Sequence, residues 1–220
     1  MNREWSEQNK LMQLQIKKKD TFLLGINTLM ELRKELMEQI QQFREELSQE
    51  DFSEMPFMNV RGYHSKSIAY SLWHIFRIED IVAHTLIAGD EQVFFRGNYQ
   101  ERINSPITTT ANELVKEEIK EFSKQIQIEE LYHYLFEVNQ STTEILKELT
   151  YDECKKKISG EKRHTLETLQ VVSKDENAYW LIDYWCNKDV RGLIQMPFSR
   201  HLIMHIEACL KIKNKILSVK

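Results

Sequence analysis

Glycine and proline are scarce in this chain of 220 residues, with six and three respectively. Average usage of the two together is roughly 12 %. They supply the turns of multi-stranded folds and the loops that cradle phosphates, so sandwiches, barrels and glycine-rich nucleotide-binding loops are disfavoured. Cysteine is also rare. Cys154, Cys186 and Cys209 form no CxxC pair and no even framework, which fits a reducing, cytoplasmic setting. Charge of one sign is lacking too: 30 basic residues face 34 acidic ones, giving a net charge of −4. That balance argues against nucleic acid as a partner. The runs Lys17-Lys18-Lys19 and Lys155-Lys156-Lys157 have acidic neighbours and read as solvated helix ends. No stretch approaches the roughly 18 apolar residues of a membrane helix, and Met1 to Lys10 is polar, so neither a membrane span nor a signal peptide is expected.

What is present is helical. Apolar residues make up 41 % and charged residues 29 % of the chain, enough for a core with solvated helix faces. Phe22, Ile26, Leu29, Leu36, Ile40, Phe43 and Leu47 follow a three–four spacing broken only by Arg33, which predicts a long amphipathic helix over 22–47. Residues 64–88 are apolar nearly all round, as in a central helix, and end at Gly89. The sequence Thr110-Ala-Asn-Glu113 has the form of a capping box and predicts a helix start there, running to about Ile126. Further long helices are expected over 128–149 and 197–217, the last with Pro197 in its first turn. The expected fold is all-α, a four-helix bundle in a single domain over 1–220. Residues 1–20 form an N-terminal helical extension, and accessory helices lie between the long ones.

Bundles hold metals with side chains projecting inward from facing helices, which directs attention to the seven histidines. His201 and His205 are four apart on the last helix and share a face. His74 lies deep in the most apolar helix, on a face with Ile78 and Ile81. Buried there, its nitrogens need partners or a ligand to hold. Three imidazoles from two packed helices would leave a divalent ion with open coordination positions. Spacing alone also admits a second register, His205 with Cys209, one turn further along. The first is preferred because Pro197 puts His201 in the early turns, near the end of the bundle. The alternative lies about 6 Å deeper.

Other candidates read as structural. His84 lies off the face of His74 and His64 near the start of the same helix, and Glu79 suits a salt bridge to Arg33 or Arg77, or else the orientation of a ligand. Glu130-Leu-Tyr-His133 and Glu161-Lys-Arg-His164 match the ExxH pattern of di-iron bundles, but the second sits in a polar, loop-like stretch. Trp73, Tyr184 and Trp185 could line a pocket, but at helical spacing core packing is preferred. No GxSxG, P-loop or HExxH motif is present.

The segment Ser71-Leu-Trp-His74-Ile-Phe-Arg-Ile-Glu-Asp80, followed much later by Arg200-His-Leu-Ile-Met-His205-Ile-Glu-Ala-Cys209-Leu-Lys-Ile-Lys213, resembles the DinB-like superfamily. Leu149-Thr-Tyr-Asp-Glu-Cys154 is similar to that family's L-T-x-E-E-L segment. The resemblance spans most of residues 22 to 217. Two departures stand out: the glycine–glutamine pair that commonly follows the family's last histidine is absent, and about 167–196 looks like an insertion. The resemblance implies a four-helix bundle, frequently dimeric, in which His74, His201 and His205 hold a divalent ion such as zinc or nickel. It also implies a metal-dependent enzyme performing hydrolysis or thiol transfer on a small-molecule substrate. The rival expectation is a non-catalytic helical module whose metal site is structural or vestigial.

Overall fold

The computed structural model describes residues 2–220. The chain is all-helical, with 72 % of it in helix. Among the described residues the one extended pairing is an isolated bridge between Lys157 and Asp189.

Helix α1 (Arg3–Gln15) is capped by the Asn2 side chain, which accepts from the backbone N–H groups of Glu4 and Trp5. It folds back onto α2 (Phe22–Glu46), burying Trp5, Met12 and Ile16. Gly25 permits that approach, because a Cβ there would come within 2.6 Å of Ile16 Cγ2. Helix α3 (Ile68–Asp80) starts later than its apolar run suggests. Residues Tyr63–Ser65 form a separate short turn, and Ser67 caps α3 by accepting from Tyr70 N–H at 3.0 Å. Every residue from Ile68 to Asp80 is buried. The helix continues as a π-helical segment, Ile81–Ala88, and ends at Gly89, whose φ of 82° is left-handed.

Short helices α4 (Val93–Arg96) and α5 (Tyr99–Arg102) follow, then α6 (Glu117–Gln125) and the long α7 (Ile128–Glu148). Helices α8 (Gly160–Leu169), α9 (Glu176–Cys186) and α10 (Val190–Ile194) precede a second π-helical segment, Met196–Arg200. That segment leads directly into α11 (His201–Leu217). Among the long helices, α3 packs on α7 and α11, and α2 packs on the same two.

The apolar interior falls into two clusters stacked along the long helices. One includes Leu36, Ile40, Trp73, Phe76, Leu135 and Ile206. The other includes Ile26, Leu29, Ile81, Val82 and Phe198, with Leu181 and Trp185 of α9. Where one gives way to the other, a polar layer crosses the protein. The Arg33 guanidinium donates to both Glu79 carboxylate oxygens at 2.6 and 3.0 Å, to Asn139 Oδ1 at 2.7 Å and to the Phe198 carbonyl at 3.3 Å. Arg33 thereby ties α2, α3, α7 and the entry to α11 together, and its break in the apolar seam of α2 is explained.

Candidate metal centre

The segment between α5 and α6 is where the sequence reading and the structure part company. Thr110 opens no helix: α6 begins at Glu117, and Thr110 Oγ1 instead donates to Asn112 Oδ1 at 2.8 Å. Thr109 Oγ1 donates to the Glu113 carboxylate. The segment runs as a strap along α3, and four consecutive carbonyls are met by four side chains of that helix. Arg77 donates to Thr108 O at 2.8 Å and Trp73 Nε1 to Thr109 O at 3.2 Å. His74 Nδ1 donates to Thr110 O at 2.7 Å and Tyr70 Oη to Ala111 O at 3.0 Å. Ala111 sits at φ 62°, a left-handed conformation that an alanine adopts only when its surroundings impose it. The capping-box pattern failed because these tertiary bonds outweigh what one local cap contributes, about 1 kcal/mol.

The strap decides the chemistry of His74. A carbonyl oxygen can only accept, so Nδ1 carries the proton and Nε2 keeps a lone pair for a ligand. His201 and His205 stand at the start of α11, and candidate ligand atoms of the three residues all lie within 4.8 Å of one another. Their ring centroids are 5.0, 4.9 and 4.7 Å apart. All three side chains are buried. The Nδ1 atoms of His201 and His205 are buried without a hydrogen-bond partner. Each such nitrogen costs about 1–3 kcal/mol unless something binds it. Two partnerless nitrogens within one cluster fit a ligand set for a metal better than a packed core.

Burial holds the cluster neutral. It pushes His74 down to about 4, opposed by the Thr110 hydrogen bond and reinforced by the charge of Lys66. Burial also drives His201 and His205 well below the ordinary imidazole value, with the neighbouring imidazoles and, for His205, Lys66 adding to the effect. Neutral imidazoles can take up a divalent ion without first releasing a proton.

Around the cluster, the Tyr70 ring stacks on His74 at 5.6 Å, and Tyr63 meets the ring of His205 edge-on at 4.8 Å. A cavity of about 300 Å³ opens beside the three imidazoles. Trp185 is in the core as expected, and it also lines this cavity together with the partly buried Tyr184 and with Trp180 and Asn112. Sequence reasoning passed over Trp180, Asn112 and the Thr110 carbonyl. Only the aromatic density of α9 could have pointed to the first.

The other candidates are placed elsewhere. Cys209 is outside the cluster; its thiol, hydrogen-bonded with Ser71, is pushed up to about 12 by burial. Glu79 accepts from Arg33 on both carboxylate oxygens, which is the salt bridge expected of it. His84 is held by Asp90 at 2.7 Å and Ser141 at 3.0 Å, and His64 packs edge-on against Phe57. His133 and His164 are exposed on α7 and α8, so the two ExxH pairs do not meet in a core. Among the described residues His74, His201 and His205 are the one group of three or more such side chains spaced for a metal.

Comparison with models of protein families and with curated proteins finds no match.

Proposed function

We propose that this protein is a divalent-metal-dependent enzyme of the DinB-like type, with zinc or nickel held by His74, His201 and His205. The observation that carries the reading is the convergence of three buried, neutral imidazoles, two of them with partnerless Nδ1 atoms. The fold expectation belongs to the same proposal. The contacts of α2, α3, α7 and α11, each with two of the others, support a four-helix bundle, with the metal site between α3 and the start of α11.

In this reading the chain's own residues divide the work. Thr110 O fixes the tautomer of His74, and the i, i+4 spacing on α11 presents His201 and His205 on one face. A bound ion supplies Lewis acidity, which suits hydrolysis, or stabilises a substrate thiolate, which suits thiol transfer. A second, non-catalytic reading is supported by one observation: among the described residues no Asp, Glu or Lys lines the cavity to serve as acid or base.

The test is the metal content of untagged protein after incubation with zinc or nickel and removal of excess. About one ion per chain is expected. Less than about 0.1 ion per chain overturns the reading.

A further inference from the structure

The cavity beside the imidazoles is built of rings. Trp180 and Tyr184 of α9 stand 5.6 Å apart, edge to face, and the buried Trp185 also lines the cavity. Trp180 is 49 % exposed although it lines the cavity, an unusual position for an indole with nothing on its outer face. Its N–H is already satisfied by the Asn177 carbonyl at 2.9 Å, so what remains to offer is the ring. A volume of about 300 Å³ lies at the small end of ligand pockets and suits a body of one or two rings.

The charges nearby point to the other half of the ligand. Among the described residues no carboxylate lines this cavity. Lys66 is half-buried, has no salt bridge among the described residues, and lies 5.2 Å over the Tyr70 ring that stacks on His74. Three neutral imidazoles add no negative charge, so a divalent ion held there would keep its full charge in an apolar setting. Such a centre favours an anion over a neutral group.

We propose that the ligand of this site is a small organic anion with a flat aromatic body, its anionic group toward the imidazoles and its ring against Trp180 and Tyr184. The proposal rests on the metal reading above for its anionic half, and on the α9 rings alone for its aromatic half.

Calorimetric titration of the zinc-loaded protein with 2-naphthoate, 2-naphthamide and acetate tests it, with zinc stoichiometry measured on every sample. Naphthoate is expected to bind at least about tenfold tighter than either acetate or naphthamide. Trp180→Ala and Tyr184→Ala are each expected to weaken naphthoate about fivefold or more, with acetate affinity and zinc content unchanged. Acetate or naphthamide binding as tightly as naphthoate, or both variants binding naphthoate normally, overturns the proposal. Protein that takes up neither zinc nor nickel overturns the metal reading separately. In that protein, naphthoate binding that depends on Trp180 still supports the aromatic ligand, and its absence overturns it.

Discussion

Two polar centres are buried along helix α3, and their hydrogen bonds are completed to different degrees. Around Glu79 and Asp80 the carboxylate oxygens are fully answered. Glu79 receives both arms of Arg33, and Asp80 accepts from Val93 N–H, Phe94 N–H, the Tyr134 hydroxyl and Arg77 at 2.9–3.1 Å. Only Arg33 Nε lacks a partner there. About a turn and a half earlier, His74 is paired on one side alone, and its two companions have Nδ1 atoms with no partner at all. Completed pairing holds the long helices to one another. Other partnerless buried atoms, such as Asn9 Oδ1 and Thr142 Oγ1, are scattered singly, whereas the two imidazole nitrogens belong to one cluster, which is what makes that cluster a candidate binding site.

The comparison breaks most visibly at the completed centre. Glu79→Ala leaves the Arg33 guanidinium buried with its main partner gone, and a loss of about 3–5 kcal/mol is expected. Urea unfolding of the metal-free variant measures it. A loss below about 1 kcal/mol would mean that this centre, too, is only loosely committed to stability.

Acid should act on the histidine centre. Imidazoles whose folded-state values lie below the ordinary one are protonated first in the unfolded chain, so stability is complete above about pH 6.5 and falls as the pH drops toward the folded-state value. For His74, pushed down to about 4, the linkage amounts to about 3 kcal/mol over that window. His201 and His205 act in the same direction. Unfolding of chelator-treated protein between pH 7 and 4.5 should show the decline. A flat profile would contradict the burial of these imidazoles.

His205→Leu sharpens the contrast with Glu79→Ala. It removes a buried nitrogen that has no partner, so metal-free stability should stay within about 1 kcal/mol of the parent. What should disappear is the stabilisation by zinc, about 2.7 kcal/mol for the parent at a hundredfold excess over its dissociation constant. Thermal unfolding with and without zinc reads both quantities. Retained zinc stabilisation would remove His205 from the ligand set.

How much of this was legible in the sequence depended on how local the signal was. The i, i+4 pair His201–His205 and the all-round apolar setting of His74 could be read directly, because helical periodicity is a local property. So could Arg33 as the break in an apolar seam, with Glu79 as a candidate partner. The strap could not. Its Thr110-x-x-Glu113 pattern is a local cue for a helix start, and it was overridden by Arg77, Trp73, His74 and Tyr70 reaching from α3 across more than 30 residues of chain. The π-helical segments Ile81–Ala88 and Met196–Arg200 left no trace in the apolar pattern either. The second matters to the site, since it sets the turn from which His201 and His205 emerge.

The smallest expected effect decides between the two ligand registers. Cys209 lies one turn beyond His205 on α11, and the spacing would serve a His205–Cys209 pair as well as His201–His205. The structure gives the two candidates different surroundings. His201 borders the cavity with a partnerless Nδ1, whereas Cys209 is fully buried in the apolar cluster around Trp73 and Ile206, with Ser71 as its partner. Burial raises its thiol to about 12, so an ion would have to strip a proton from an apolar setting to use it. Cys209→Ala should therefore leave the zinc dissociation constant within about threefold of the parent, roughly 0.6 kcal/mol. His201→Ala should abolish tight binding. Competition titration against a chromogenic chelator at pH 7 measures both, and loss of zinc in Cys209→Ala with retention in His201→Ala would move the site one turn along α11.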